Sequence, residues 1–274
     1  MLLDGKKIRD QLIIKYKEKI TRENLKIKLA IIEVGNNDAS KIYIKNKVKY
    51  CEEVGIETDV YNLDENISED ELIDLIFELN ADKEVTGIIL QSPIPDHLNF
   101  DKCSNLIISS KDVDGFTRDN VYNLYLKRKG ILPCTVKGII ALLDYYNIPI
   151  EGAHAVIVGR GNIVGKPLFL ALENRNATVT LCHSKTVNLD RFTKDADILV
   201  AAAGVPNLIK ADMVKNGAVL IDVGVSRIDG KIVGDIDKSC LSEHVKFTPN
   251  PGGVGPMTVA MIIDNLIEMK EGEK

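Results

Sequence analysis

The segment A-V-I-V-G-R-G-N-I-V-G-K-P, residues 155–167, combines an apolar strand, a glycine-rich turn and the start of a helix. This order is typical of dinucleotide-binding folds, in which backbone N–H groups and a helix N-terminus meet a phosphate. Three residues separate Gly161 from Gly165, whereas the standard G-x-G-x-x-G spacing has two. Arg160 lies inside the turn and offers a cation for a further phosphate. An ordinary strand-to-helix turn has the same outline, so the rest of the chain decides whether this turn is a dinucleotide-binding one.

Strand and helix patterns alternate along almost the whole chain, which is typical of α/β proteins. Besides the strand before the glycine turn, the predicted strands span 28–34, 85–90, 177–182, 198–203 and 218–223. The predicted helices span 38–54, 72–79, 136–147 and 256–269. Local signals set helix ends: Gly55 as a stop, a capping box of Ser68 and Glu71, and Pro256 at the first position of the last helix.

Prolines and glycines interrupt this alternation between residues 92 and 135. We therefore expect two α/β domains, the second built on a Rossmann-type doubly wound parallel sheet, with a ligand cleft between them. The expected first domain is 1–135, joined by the C-terminal helix 256–274, and the expected second domain is 136–255.

Composition argues against several classes of function. The 274-residue chain is 45% hydrophobic and 27% charged, as in ordinary globular proteins. Its net charge of −5 leaves no basic excess for nucleic acid, and no apolar run is long enough to span a membrane. The five cysteines are scattered and the four histidines show no metal-binding spacing. We expect reduced thiols, no metal site and a cytoplasmic protein without a signal peptide.

The segment C-H-S-K-T at 182–186 bears on the choice of dinucleotide. In NAD-binding folds this strand end usually carries an acid for the ribose 2′-hydroxyl, and such an acid would repel a 2′-phosphate. Hydroxyl and cationic side chains replace it here and, with Arg160, favour NADP over NAD; a solvated polar loop is the alternative. Small residues at 201–204 and 222–225 and the glycine-rich turn 248–258 could line the same cleft.

Candidate catalytic groups lie in the first half of the chain. Tyr43 and Lys47 are four residues apart on one predicted helix and share a face. A lysine in a cleft loses its charge readily, which suits proton transfer, although a solvated helix face explains most of the neighbouring lysines. Gln91 leaves the end of a buried strand, and Asp112 and Asp114 lie in the turn D-V-D-G. If Lys47, Gln91 and Asp114 converge, they offer a donor, an amide and a carboxylate to one polar heterocycle.

Seven ordered blocks of sequence carry a family resemblance. They are A-S-K-I-Y-I-K-N-K (39–47), Q-S-P-I-P (91–95), K-D-V-D-G-F (111–116), L-P-C-T (132–135), V-G-R-G-N-I-V-G-K-P (158–167), C-H-S-K-T (182–186) and P-G-G-V-G-P-M-T (251–258). From D-G-K at 4–6 to its last helix, the chain resembles the bifunctional methylenetetrahydrofolate dehydrogenase/methenyltetrahydrofolate cyclohydrolase family.

The resemblance implies oxidation of methylenetetrahydrofolate to the methenyl cation with NADP, then attack of water to give 10-formyltetrahydrofolate. It implies that Tyr43 stacks on the folate and that Lys47 assists hydrolysis of the methenyl bridge. Gln91 would hold and tune Lys47, and Asp114 would bind the pterin ring. The first domain would bind folate and the second NADP, in a homodimer formed through the cofactor domain.

Carried over position by position, the resemblance implies two sets of binding residues. The substrate set is Tyr43, Gln91, Ser92, Pro93, Asp114, Gly252 and Gly253. The cofactor set is Thr135, Gly159, Arg160, Gly161, Ile163, Val164, Gly165, His183, Ser184, Gly204, Val225 and Thr258. Gly161 stands where the family commonly has a serine, which removes one hydroxyl from the expected 2′-phosphate site, and Ser92 stands where it has a leucine.

Three other interpretations compete with this one. A shikimate-dehydrogenase-like NADP oxidoreductase has the same two-domain plan but leaves Tyr43, Gln91 and the block 251–258 unexplained. A cyclohydrolase with weak dehydrogenase activity would result if the altered glycine turn no longer supported hydride transfer. A non-catalytic dinucleotide sensor would not need Lys47, Gln91 and Asp114 together.

Overall fold

The chain divides into two units in the computed structural model, which describes residues 1–272 without the side chains of residues 38 and 39. The three-stranded unit comprises Asp10–Cys134 and the residues from Val259 onward, and the five-stranded unit comprises Met1–Arg9 and Thr135–Thr258. Positions 273 and 274 of the expected segment 256–274 lie outside the described residues.

Helices and strands alternate along most of the chain, as the sequence pattern predicts. The N-terminal half contains α1 (Gly5–Arg22), β1 (Lys28–Val34), α2 (Asp38–Glu53), β2 (Glu57–Leu63), α3 (Glu69–Ala81), β3 (Gly87–Leu90), α4 (Phe100–Ser104) and α5 (Arg118–Tyr125). The rest contains α6 (Cys134–Tyr145), β4 (His154–Val158), α7 (Gly165–Glu173), β5 (Thr178–Cys182), α8 (Asp190–Thr193), β6 (Ile198–Ala201), β7 (Val219–Asp222), β8 (Ser226–Ile228), β9 (Lys231–Val233), β10 (Lys246–Phe247) and α9 (Val254–Gly272).

The three-stranded unit is built on a parallel sheet with strand order β2-β1-β3. Ala30, Ile32 and Val34 of β1 pack with the buried residues of α3 in one core. Because parallel crossovers are right-handed, α2 and α3 cover opposite faces of this sheet. The strand order reverses between β1 and β3, and ligands of open α/β sheets bind at the carboxyl ends of strands at such a point.

The five-stranded unit has an all-parallel sheet of order β10-β7-β6-β4-β5, with a separate antiparallel pair formed by β8 and β9. Apolar side chains of β4, β6 and β7 form its core, among them Val156, Leu199 and Leu220. The strand order reverses between β4 and β6, so the sheet is doubly wound and its expected ligand position is the carboxyl end of these two strands. The predicted fold class is confirmed.

Most predicted element ends agree with the structure to within two or three residues. Ser68 and Glu71 form the predicted capping box, and Gly55 follows α2 with φ of 88°. The position predicted for Pro256 is wrong, because α9 begins at Val254 and the proline is its third residue. The amide there has no intrahelical acceptor in any case, so proline is tolerated. Strand β2 was not predicted from the sequence, because its residues are mostly polar and only half-buried.

Candidate functional site

Helix α2 and strand β3 bring Lys47 and Gln91 together. Lys47 Nζ donates a hydrogen bond of 3.0 Å to Gln91 Oε1. Gln91 directly follows β3, and its backbone N–H donates to the carbonyl of Ile32 on β1 at 2.9 Å. Its side-chain Nε2 donates to the Ser92 carbonyl at 2.7 Å. Both ends of the Gln91 amide are therefore engaged, which fixes Oε1 toward the lysine.

Three further residues of the predicted substrate set flank this pair. Tyr43 lies one turn before Lys47 on α2, and its side chain is 49% exposed, which leaves the ring free to stack on a flat ligand. Ser92 and Pro93 follow Gln91 and are both exposed. Ser92 and Pro93 thus lie at the carboxyl end of β3, where the strand order predicts a ligand, and Tyr43 lies on the helix whose Lys47 contacts Gln91.

The two aspartates of the D-V-D-G turn have different surroundings. Asp112 is buried, and its carboxylate accepts hydrogen bonds from the backbone N–H of Gly115 at 2.9 Å and of Thr117 at 2.7 Å. It also accepts one from Asn120 Nδ2 at 3.0 Å. With three donors inside its own segment, Asp112 holds the turn in shape.

Asp114 is the aspartate of this turn whose carboxyl pKa is affected by the nearby Lys47. Burial raises the pKa of its carboxyl, the nearby Lys47 ammonium and the Cys134 thiol oppose this rise, and the Asp112 carboxylate adds to it. A carboxyl with a raised pKa carries a proton more readily and can then donate a hydrogen bond to a ligand nitrogen or oxygen. Lys47, Gln91 and Asp114 thus lie in one neighbourhood, a convergence that the sequence spacing left open; their roles stay predictions.

Asn265 on α9 supports this neighbourhood and was not predicted from the sequence. The fully buried Asn265 donates through Nδ2 to the carbonyls of Val113 at 2.9 Å and Leu132 at 3.0 Å, and this nitrogen lies 3.4 Å from Cys134 Sγ. It therefore connects the D-V-D-G turn to the L-P-C-T segment. An asparagine among the apolar residues of the last helix is the sequence signal that could have indicated it.

The glycine turn after β4 has the close backbone approaches that a phosphate-binding turn needs. Gly159 has φ of 121°, and a Cβ there would overlap the carbonyl of Ala202 after β6. A Cβ at Gly165 would overlap the carbonyl of Gly159, so neither position accepts a side chain. Helix α7 begins at Gly165 and directs its N-terminal amides toward the turn. The turn lies where the strand order of the five-stranded sheet reverses.

The exposed side of the turn carries the predicted cofactor-specificity residues. Arg160, Gly161 and Ile163 are exposed, and Val164 is half-buried. A Cβ built on Gly161 meets no atom of the described residues within 4 Å, and its φ lies outside the left-handed region. Gly161 is therefore not required by the backbone, unlike its two neighbours in the motif.

The segment after β5 lies beside this turn, because the Gly159 N–H donates to the carbonyl of Cys182 at 2.9 Å. The His183 N–H donates to Thr186 Oγ1 at 2.9 Å, which closes the segment on itself. Ser184 and Lys185 are exposed, and His183 is half-buried. Exposed hydroxyl and ammonium groups thus stand next to Arg160's turn, as expected for a site that accepts an additional phosphate.

A buried aspartate fixes the loop after β6. Asp235 Oδ2 accepts hydrogen bonds from the backbone N–H groups of Ala203 at 2.6 Å and Gly204 at 2.9 Å. Asp222, at the end of β7, accepts one from the Asp235 N–H at 2.9 Å. Burial raises the pKa of the Asp222 carboxyl, backbone hydrogen bonds lower it, and the Asp235 carboxylate adds to the rise. Nothing local in G-D-I-D (234–237) indicates this role of Asp235.

The remaining predicted residues also belong to the five-stranded unit. Thr135 and Thr258 share a hydrogen bond of 3.1 Å between their hydroxyls, and Val225 is exposed. Gly252 has φ of 114°, and a Cβ on Gly253 would lie 2.6 Å from the Cβ of Thr248. Gly252 and Gly253 lie in one unit and Lys47 in the other. That these residues bind one substrate, and that a ligand cleft lies between the two domains, therefore stay predictions.

Two classes of feature are not found in the part of the chain that the structure describes. No three His, Cys, Asp or Glu side chains there are grouped as metal ligands would be. No helix among residues 1–272 is both long and apolar enough to cross a bilayer.

Two family models cover most of the chain. One, described as the catalytic domain of tetrahydrofolate dehydrogenase/cyclohydrolase, matches residues 3–114, and the other, its NAD(P)-binding domain, matches residues 133–274. A curated relative, the bifunctional protein FolD of Campylobacter jejuni, is 48% identical in an alignment of length 273 that covers 97% of each chain.

Solved structures agree with this similarity. The crystal structure of the bifunctional FolD methylenetetrahydrofolate dehydrogenase/cyclohydrolase from Campylobacter jejuni is 46% identical, with a TM-score of 0.97, covering 100% of this chain and 99% of that one. The Trypanosoma brucei enzyme, complexed with NADP cofactor and inhibitor, is 30% identical, with a TM-score of 0.94 and coverages of 100% and 98%.

A shikimate dehydrogenase from Aquifex aeolicus is only 13% identical, with a TM-score of 0.58 and coverages of 90% and 92%, so it shares the fold alone. The comparisons therefore favour the first interpretation of the sequence over the shikimate-dehydrogenase-like one. The chain belongs to the tetrahydrofolate dehydrogenase/cyclohydrolase family.

Proposed function

We propose that this enzyme oxidises 5,10-methylenetetrahydrofolate to 5,10-methenyltetrahydrofolate with NADP and hydrolyses the product to 10-formyltetrahydrofolate. The observation that carries the proposal is the hydrogen bond of 3.0 Å between Lys47 and Gln91, with the Asp114 carboxyl close enough to respond to the lysine charge. Residues 1–135 with the C-terminal helix would bind folate, and residues 136–255 would bind NADP.

Hydrolysis is the step that needs a protein base. Addition of water to the methenyl carbon releases a proton, and Nζ of Lys47 would accept it when this amine is unprotonated. The added hydroxyl then loses its proton as its C=O bond forms, the bond from this carbon to N5 of the folate breaks, and N5 gains a proton, which leaves the formyl group on N10. Gln91 holds Nζ in place, Tyr43 stacks on the folate, and Asp114 binds the pterin ring through its carboxyl.

Oxidation needs alignment more than acid–base chemistry. NADP, when bound, accepts the hydride, and the residues around it supply position. The close approaches at Gly159 and Gly165 fit this cofactor, because a Cβ at either position would fill the turn. Arg160, Ser184 and His183 would bind the side of NADP that carries the 2′-phosphate. The rest of the cofactor would be bound by Gly204, Val225, Thr135 and Thr258.

One assay tests both activities. The absorbance of methenyltetrahydrofolate is followed with NADP, with NAD and with neither, using the wild-type protein and Lys47→Met. We expect wild-type oxidation and hydrolysis, and a Lys47→Met protein that has lost hydrolysis but keeps part of its oxidation. Full hydrolysis by Lys47→Met would refute the role of the lysine, and the absence of both wild-type activities would refute the function.

The choice of cofactor has its own test. Arg160→Ala should raise the KM for NADP far more than the KM for NAD. Gly161→Ser should lower the KM for NADP about tenfold, because a hydrogen bond to a charged group contributes about 1.5–3 kcal/mol. Equal effects on the two cofactors would rule out a contact with the 2′-phosphate.

We also propose a cytoplasmic homodimer formed through the cofactor domain. Its support is the family resemblance together with exposed apolar side chains, Ile228 and Ile232, on the β8–β9 pair. Sedimentation equilibrium should give twice the mass of the chain, and a monomer at micromolar concentration would contradict the proposal.

A further inference from the structure

A buried carboxylate lies on β1, the strand next to β3, and has no part in the function described above. Glu33 on β1 is 6% exposed, and its Oε1 has no hydrogen-bond partner among the described residues. Burial of an unpartnered carboxylate oxygen is unfavourable, so packing alone does not account for a glutamate here.

The alternation of β1 sets the face on which Glu33 lies. Ala30, Ile32 and Val34 pack on the α3 side, so Glu33 lies on the α2 side. Lys47 also approaches this interface. Burial raises the pKa of the Cys51 thiol on α2 to about 12, while the Lys47 ammonium and the hydroxyl of Thr58 on β2 lower it.

Sheet register places Glu33 next to Gln91. Ile32 of β1 pairs with Leu90 of β3, and in the parallel arrangement the next position pairs Glu33 with Gln91. Neighbours of this kind on one sheet face have Cβ atoms about 5 Å apart. Both residues lie at the carboxyl ends of β1 and β3, where the strand order reverses.

The pitch of α2 places Lys47 Nζ at the level of Glu33 along β1. Cys51 lies opposite Thr58, which pairs with Leu29, and the strand from Leu29 to Glu33 spans about 13 Å. That distance corresponds to roughly nine residues of a helix running back along β1. Glu33 therefore lies level with a point a little over one turn before Lys47, and lysine side chains extend toward the helix N-terminus.

A second buried group without a partner marks the same end of the interface. Ser40, on the first turn of α2, is buried, and its Oγ has no hydrogen-bond partner among the described residues. Ser40, Ile44, Lys47 and Cys51 are spaced as one face of the helix, which is the face toward the sheet. A buried hydroxyl and carboxylate at one end of an interface are suited to hold a water molecule.

We propose that Glu33 is a positioning residue for hydrolysis: its carboxylate, behind Gln91, stabilises the ammonium that Lys47 forms when it accepts the proton from the attacking water. This inference rests on the proposed role of Lys47. The other titratable groups near Lys47 are the carboxyl of Asp114 after β3 and the Cys51 thiol on its own helix, with Tyr43 one turn earlier on α2; Gln91 is neutral. Among the described residues of the sheet, Glu33 is the negative group that lies on the α2 face at the level of the lysine.

The test is the pH profile of hydrolysis by Glu33→Gln. For a separation of about 8 Å and an effective dielectric constant of about 20, removal of the negative charge should move the acid limb of the profile down by about 1.5 pH units. The plateau rate at high pH should fall severalfold, whereas oxidation and the KM for methenyltetrahydrofolate should change less than twofold. Glu33→Leu should give the same shift.

Glu53→Gln is the matched control, because it removes the same charge from an exposed position on α2. It should leave the profile unchanged. Thermal unfolding of both Glu33 variants should be equal to or higher than that of the wild type. A Glu33→Gln profile that coincides with wild type would overturn the inference. If Lys47→Met retains hydrolysis, the proposed function fails instead, and the two failures are distinguishable.

Discussion

Replacement of Asp112 by alanine should destabilise the three-stranded unit, although this aspartate is not expected to touch a ligand. Its carboxylate accepts hydrogen bonds from the N–H groups of Gly115 and Thr117 and from Asn120 Nδ2. The Gly115 N–H keeps the carbonyl of residue 112 as an acceptor at 3.2 Å, and Asn120 Nδ2 keeps the Ser109 carbonyl at 3.0 Å. The Thr117 N–H and one hydrogen of Asn120 Nδ2 lose their acceptor, and at about 1–3 kcal/mol each we expect a loss of about 4 kcal/mol. For a protein of this size that corresponds to a fall in Tm of ~10 °C.

The matched control is Asp114→Asn, two residues along the same turn. Burial raises the pKa of Asp114 in the folded state, so its ionised form weakens folding. This penalty is absent below the unfolded pKa of about 4 and grows as pH rises through the folded value. At neutral pH, Asp114→Asn should therefore be at least as stable as wild type, while its activities fall.

The Tm of both variants is measured by circular dichroism at pH 7 and pH 4, and their folate turnover is the second readout. The reasoning would be refuted by an Asp112→Ala protein that melts within 2 °C of wild type, on the scale of about 2–4 °C per kcal/mol. It would also be refuted by an Asp114→Asn protein that loses as much stability as Asp112→Ala.

Three further substitutions test other parts of the structure. Gly165→Ala should lower Tm and weaken NADP binding in a fluorescence titration, because its Cβ would overlap the Gly159 carbonyl, whereas Gly161→Ala should change neither; wild-type behaviour of Gly165→Ala would contradict this. Asp235→Asn should raise the KM for NADP about tenfold in initial-rate assays, because it weakens the hydrogen bonds that Asp235 accepts from two backbone N–H groups. Hydrolysis should be unchanged, and an equal loss of both activities would argue against this reasoning. Asn265→Leu should cost about 2 kcal/mol in urea unfolding and lower both activities, because two buried carbonyls lose a donor; an unchanged midpoint would count against this.

Local signals were sufficient for the elements that depend on nearby residues. Strand β1 has the predicted bounds, and the capping box of α3 forms as its two residues imply. Strand β2 lacks such a signal, because it is only half-buried and its alternation is polar. Its place in the sheet comes from pairing with β1, which a local pattern does not contain.

Residues of the candidate site could be predicted where they lie close together in sequence, and not where they lie far apart. Tyr43 and Lys47 share a helix face, so their proximity follows from spacing alone. Asn265 contacts Val113 across 152 positions, and Asp235 contacts Ala203 across 32. These supporting side chains are buried and distant in sequence, so their partners become identifiable only when the chain is folded.

At most active-site positions, the requirements of folding and of ligand binding fall on the same residue. At Gly161 they do not, because a Cβ built there meets no atom of the described residues. Gly159 and Gly165 are dictated by the backbone, so any change there is limited by folding. Position 161 has an ordinary φ and an open side among the described residues, so selection for cofactor preference can act on it without compensation elsewhere. A single codon change could therefore adjust which redox pool the enzyme draws on while the fold stays the same.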